Sequence, residues 1–306
     1  MTFAVRFAAI GPLLALCLSM QAQTPSDALM MPGGQICLAV SYSHDAWSQY
    51  WEGTLKRENG NIGTLTREMV MPMFALGITD RINLIAALPW MRTRASAGQM
   101  AGVNGLQDWG IWLKAQGFSV QAGPGRAEGF AALGFSAPAS NYLSDYMPFS
   151  LGLGCPDLSL RGILKYELNG GAYLRGQAGF HYRGITTIER SYYFTTHGIY
   201  TDQVDVPNAL SYGGALGTWM LKRSLRAEFS LDGLHTFGGF DIRRQDMGFP
   251  SNRMNLVQIG FRAQYYLPAV RGLGITAAAS QVLAGRNAGQ SSLLSGGLTW
   301  QFGVWK

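Results

Sequence analysis

PDLSLRGILKYEL (residues 156–168), Asn169-Gly170, and GAYLRGQAGFHYRG (residues 171–184) form the stretch whose reading decides the fold. Leu158, Leu160, Gly162, Leu164, Tyr166 and Leu168 share one parity, while Ser159, Arg161, Ile163, Lys165 and Glu167 share the other. After the Asn-Gly pair, Ala172, Leu174, Gly176, Ala178, Phe180 and Tyr182 form an apolar row, backed by Tyr173, Arg175, Gln177, Gly179, His181 and Arg183. A period of two across an Asn-Gly turn is the signature of a β-hairpin. The strands are also longer than the ~5–6 residues usual in globular sheets. Strands of that length, apolar on one side and charged on the other, suit a tilted crossing of an outer membrane, with lipid outside and a wet lumen inside.

The same rhythm recurs along the chain. Strands are expected at 35–44, 64–76, 81–91, 105–115, 129–137, 156–168, 171–184, 208–221, 225–237, 253–267, 273–284 and 290–305. Segment 225–237 alternates cleanly, with Leu225, Ala227, Phe229 and Leu231 against Arg226, Glu228, Ser230 and Asp232. The expected architecture is all-β: a closed antiparallel transmembrane β-barrel of outer-membrane type, with about 12 strands (range about 10–14). Closure follows because an open sheet edge in hydrocarbon leaves peptide groups unpaired, at several kcal/mol each. Long extracellular loops are expected near 46–63, 92–104, 138–155, 185–206 and 238–252, with 185–206 read as structureless. Residues 117–126 read as a Gly-rich connection, and 129–137 as a short strand.

Composition agrees. Of the 306 residues, 47% are hydrophobic and only 14% charged, well below the ~25% of soluble domains. Residues 1–22 read as a signal peptide, with Arg6 ahead of an apolar core around Leu13-Leu14-Ala15-Leu16. Cys17 follows Leu16, a residue too large for a lipidation site. Residues 23–34 read as a loose N-terminal lead-in before a barrel at 35–305. No later apolar run reaches the eighteen residues of a membrane-spanning helix. The net charge of +6 falls to +5 without Arg6, and the basic residues are scattered, which argues against nucleic acid as a partner. Cys37 and Cys155 define no disulfide scaffold, and His44, His181, His197 and His235 have no ligand spacing. No cofactor or metal is expected.

A family resemblance rests on three pieces: Leu76-Gly77-Ile78-Thr79-Asp80-Arg81-Ile82-Asn83-Leu84, Leu88-Pro89-Trp90, and Gly105-Leu106-Gln107-Asp108-Trp109. Within residues 65–115 they resemble a bacterial outer-membrane β-barrel family described as phenol-degradation MetA-pathway, transporter-like proteins. The resemblance implies a monomeric channel of roughly twelve strands in the cell outer membrane, moving small or hydrophobic molecules. Gln107, where that family often has glycine, and the long segments 46–63 and 185–206 depart from it. Phe302, Val304 and Trp305 resemble an outer-membrane assembly signal, although Lys306 is atypical after the aromatic.

The candidate lumen-lining residues are Arg161, Lys165, Glu167, Arg175, His181, Arg183, Arg226, Glu228, Asp232, Arg262 and Trp112. If basic and acidic sides face each other, they favour small anions or zwitterions; alternatively, they interlock as salt bridges filling the interior. Trp90, Trp109, Tyr166, Tyr182, Trp219, Trp300 and Trp305 read as interfacial aromatics rather than a sugar-stacking platform. The methionine row Met69, Met71 and Met73 reads equally as lumen wall or plug contact. Three functional classes follow. The first is a channel or transporter for small solutes, hydrophobic or aromatic compounds or small anions. The second is a closed barrel anchoring a protein partner through its extracellular loops. The third is a membrane lipid hydrolase, disfavoured because Ser230 and His235 lie on opposite parities. Outer-membrane lipid is the constant partner.

Overall fold

The computed structural model describes residues 23–305; the expected signal peptide lies outside them. Twelve long strands form the wall: β1 (Gln35–Trp47), β2 (Leu65–Thr79), β3 (Ile82–Ala87, resuming as Trp90–Ala95), β4 (Asp108–Ala122), β5 (Gly125–Pro138) and β6 (Asp157–Leu168). They continue with β7 (Ala172–Arg183), β8 (Ala209–Met220), β9 (Leu225–Thr236), β10 (Asn255–Tyr266), β11 (Leu273–Arg286) and β12 (Ser292–Gly303). Each pairs antiparallel with its sequence neighbours, and β1 pairs with both β2 and β12. The sheet therefore closes on itself. Pro89 has no N–H to donate, and at Leu88-Pro89 the third strand breaks. Its upper half pairs with Asn104–Leu106, which leads into β4.

The organising hairpin forms as its pattern requires, with Leu160 facing Phe180 and Lys165 facing Arg175. Side chains of the apolar row point out of the wall: Leu160 is 62% exposed, Leu174 57% and Phe229 62%, against 5% for Arg175 and 4% for Arg226. An apolar band facing outward around a closed barrel belongs in a bilayer. No helix of the described residues is long and apolar enough to cross a membrane.

Four segments differ from the expected pattern. Residues 117–126 are no connection: β4 runs to Ala122 and β5 starts at Gly125, with a bulge between Gln116 and Phe118 absorbing the extra Gly117. Gly123 takes the positive φ of the tight turn, and Gly125 lies close against Tyr166 and the Glu167 carbonyl. With this change, the turns after β2, β4, β6, β8 and β10 are all short. Segment 185–206 is not structureless; it contains the small pairings Ile185–Thr187 with Gln203–Asp205 and Tyr193–Phe194 with Gly198–Ile199. Segment 46–63 likewise contains a hairpin, Gln49–Glu52 with Leu55–Glu58.

Residues 23–34 are not loose: Gln23, Asp27, Ala28, Leu29 and Met31 are buried, and the segment folds back inside the barrel. Its apolar side chains drive this. Leu29 packs with Tyr173, Trp219 and Tyr266; Met31 packs with Cys37, Ala75 and Ile85; and Ala28 packs with Phe130 and Ile163. These contacts explain why the inner row of β3, Asn83 and Ile85, is not a water-filled surface. Glycine permits the entry, since a Cβ on Gly77 would lie 2.0 Å from the Pro32 carbonyl oxygen.

Cys37 and Cys155 are separate buried thiols, so the possible disulfide does not form. Two outcomes test this fold. Leu164→Arg, which puts a cation on the lipid side in the middle of β6, should lower the unfolding free energy measured in lipid vesicles by about 2–4 kcal/mol. Burial pushes the Cys155 thiol up to about 11, so it should resist alkylation at pH 8 in folded protein and react fully once unfolded.

Candidate functional site

The lumen divides into three zones. At the periplasmic end, the folded-back segment is held by polar contacts. The Lys114 ammonium donates to the Asp27 carboxylate at 2.8 Å and to the Thr24 carbonyl at 3.1 Å, and both charged side chains are almost wholly buried. Asn83 forms a two-way clasp, its Nδ2 donating to the Met31 carbonyl and its Oδ1 accepting from the Met31 N–H. Arg175 Nη1 donates to the Ser26 carbonyl at 2.7 Å. Burial alone would raise the Asp27 pKa, but the charges of Lys114 and Arg226 and its hydrogen bonds hold it below the ordinary 3.8.

Around this plug stands an ionic wall. Glu228 accepts from Arg175 at 2.9 Å, from Arg226 at 2.6 Å and from the Tyr173 hydroxyl at 2.9 Å, while Arg226 Nε also donates to Tyr173. Nearer the rim, Lys165 pairs with Glu128 and Glu167, and Glu167 also accepts from Arg223. A cavity of about 500 Å³ lies between this rim group and plug residues Ala28 and Met30. Most of the candidate lumen residues therefore interlock, and β6, β7 and β9 bring them together because their inner rows face each other.

Higher up, Arg161 Nη1 donates to Gln177, whose amide in turn donates to Asp232. His181 lies between Asp157, 3.2 Å from Nδ1, and Ser211 Oγ, 3.0 Å from Nε2. Arg183 reaches Asp157 at 3.5 Å and the Pro207 carbonyl at 3.3 Å. The Asp157–His181–Ser211 chain looks like hydrolase geometry, yet Ser211 sits within β8, ladder-paired on both sides, and its hydroxyl donates to the Gly179 carbonyl. Among the described residues, no group of His, Cys, Asp or Glu side chains is arranged to hold a metal.

Trp112 lies inside, over Gly110 and Gly134, where added Cβ atoms would come within 2.2 and 2.1 Å of its ring. It packs beside the Met31 cluster, and so does Met73, which puts one end of the methionine row against the plug. Trp90, Trp109, Tyr182, Trp300 and Trp305 are exposed on the outer side, and the Tyr166 hydroxyl caps the Ala122 carbonyl near the periplasmic rim. Trp219 does not join them. It is 6% exposed and faces Leu29, because Tyr212, Leu216 and Met220 hold the outward parity of β8. Arg262 faces inward between Gly260 and Gln264 and remains exposed.

The extracellular end is a vestibule of about 570 Å³ under the loops, with a mostly apolar lining that includes Leu65, Met91, Met100, Met147, Met254 and Leu293. Sequence reading missed the vestibule, Asp27 and the Asn83 clasp. Lys114 alone carried a signal, as a lysine on the inner row of its strand.

No family model matches the chain, and no curated protein matches it. Among solved structures, it is similar to the COG4313 outer membrane channel from Pseudomonas putida F1, with a TM-score of 0.72 and 14% identity over 92% of this chain and 100% of that one. The chain is a closed twelve-stranded barrel of outer-membrane type. The translocator domain of the autotransporter NalP from Neisseria meningitidis aligns with a TM-score of 0.45 and 13% identity over 89% of this chain and 90% of that one. The KdgM porin aligns at 0.40 and 9%, over 86% and 99%. The match to the P. putida structure supports the outer-membrane barrel resemblance seen in residues 65–115 and does not extend to a phenol-degradation or MetA-pathway role. At that identity the likeness is one of fold.

The Asp27–Lys114 pair makes docking of the segment depend on pH. Because the Asp27 pKa is lowered, its contribution to docking is present above the free carboxylate pKa and is lost as pH falls through the depressed value. Protease protection of residues 23–33 should be unchanged from about pH 8 to pH 5 and fail only below about pH 4. Asp27→Ala, which leaves Lys114 without its partner, should expose the segment at pH 7 while the barrel stays folded.

Proposed function

We propose that this protein is an outer-membrane channel that passes small solutes and is closed at its periplasmic end by residues 23–34. The observation that carries the reading is the pairing of an apolar vestibule of about 570 Å³ with an inward, water-exposed Arg262 farther down the same barrel. A barrel serving only as an anchor needs neither an apolar vestibule nor an exposed inner arginine. The fold shared with the P. putida outer membrane channel supports the same reading. Small hydrophobic, aromatic or anionic solutes fit the vestibule chemistry, and a single chain closes the barrel without needing a second copy.

One observation favours the closed-barrel alternative. The Lys114–Asp27 pair is fully enclosed, and the plug contacts many wall strands. If the plug never leaves, the extracellular loops become the working surface and a protein partner the relevant ligand. Planar-bilayer recordings separate the two. Native protein should show small or intermittent steps, and a variant lacking residues 23–33 should show larger, longer ones. Absence of steps from both, with heat-modifiable mobility confirming folded barrels, would reject the channel reading.

A further inference from the structure

Resting on the channel reading, we infer that the solute is a small amphipathic monoanion, an apolar body carrying one carboxylate, and that Arg262 selects it. Most of the other inward cations are neutralised. Lys114 is paired with Asp27, Arg175 and Arg226 with Glu228, Lys165 with Glu128 and Glu167, and Arg183 with Asp157. In the vestibule, Arg67 is paired with Asp45 at 2.6 Å. Arg161 has no carboxylate partner but is half-buried and capped by Gln177.

Arg126 is also inward, exposed and without an ion pair among the described residues, but it stands at the periplasmic rim beside the turn at 123–124. Arg262 stands within the barrel, below the vestibule. It lies on the inner row of β10, is exposed, and has no ion pair or hydrogen bond among the described residues. The carboxylate opposite it on β9, Glu228, already accepts from two guanidiniums and a phenol. On the other side its neighbour is Ala278. An arginine on the inner row of a membrane barrel, without a partner of its own, is a functional group until shown otherwise.

The surroundings define what it would meet. The ladder row through Arg262 continues to Ala278, Ser295, Ser43 and Met69, and none of these four brings a charge. This side of the lumen is lined by small or soft side chains, whereas the β4–β9 side is filled by ion pairs and plug. The vestibule descends on the same side, since its floor includes Gln258 and Ser280. Gln258 and Arg262 are on one inner row, four positions or about 13 Å apart at the ~3.3 Å rise of a strand.

A solute descending from the vestibule therefore leaves a methionine-rich, apolar chamber and meets one unmatched positive charge. A carboxylate suits a guanidinium through two parallel N–H···O bonds. A dianion would leave its second charge among uncharged groups, and a cation would be repelled. Weak retention at one accessible site, rather than a fully enclosed cage, also lets the solute leave.

The test uses full-length mature protein in two arms. In planar bilayers under a KCl gradient, the reversal potential of the wild type should show chloride preference, and benzoate should reduce the chloride current where benzyl alcohol does not. Arg262→Gln should abolish both effects, Arg262→Lys should retain the preference, and Arg92→Gln, on the outer row of β3, should leave it unchanged. In detergent, where no current is needed, benzoate titrated against tryptophan fluorescence should bind the wild type, with affinity falling about tenfold or more in Arg262→Gln. If conductance is present but Arg262→Gln changes neither selectivity nor benzoate block, the inference is overturned and the channel reading stands. If no variant conducts, the channel reading fails, and binding of benzoate and benzyl alcohol with equal affinity would overturn the inference as well.

Discussion

Hydrocarbon offers no hydrogen-bond partner to a peptide group, and this constraint governs the whole molecule. Each wall strand must be flanked on both sides, and the pairing of β1 with both β2 and β12 satisfies that for the chain as a whole. Once the wall is closed, side-chain parity leaves no freedom. A residue on one row meets lipid, and its neighbour meets the interior. The outward leucines and inward arginines are thus two results of one closure.

An interior so supplied with charge needs neutralising. The protein does this by pairing the cations of β6, β7 and β9 with carboxylates from nearby strands, and by bringing Asp27 to Lys114. Ion pairs of this kind give little net stability compared with apolar packing, so their value lies in register and position. They fill one side of the lumen and leave the other bordered by Ser43, Ala278 and Ser295, where Arg262 stands without a partner. The asymmetry separates a filled, supporting half of the barrel from an open half.

How much of this was legible in the sequence depends on distance along the chain. The wall was readable because a period of two persists through each strand, as in Leu158 to Leu168, and lipid rewards every repeat of it. The extent of β4 and β5 was not, because Gly117, Gly123 and Gly125 imitate a loop when a bulge actually keeps the ladder going. Trp219 was misplaced because position near a strand end was given more weight than parity. The plug was invisible for another reason: Asp27, Leu29 and Met31 have no periodicity of their own, and their partners Lys114, Tyr173 and Ile85 are fixed only by the closed wall. For the candidate site, the sequence lists charges that share one parity of their strands. It could not say that one of them, Arg262, lacks a partner, since that depends on pairings across strands.

The fold-back of residues 23–34 has a consequence for biogenesis. The segment immediately precedes β1, one side of the seam at which first and last strands meet. It must therefore be on the luminal side before that seam zips shut, or be threaded in afterwards past the rim at Gly33 and Gly77. A barrel sealed with the segment left outside would have the same wall and the same mobility in a gel, but Lys114 and Asn83 would face water instead of the chain's own beginning. Correct insertion is therefore a topological event as well as a folding one, and the order in which the ends of the chain arrive decides it.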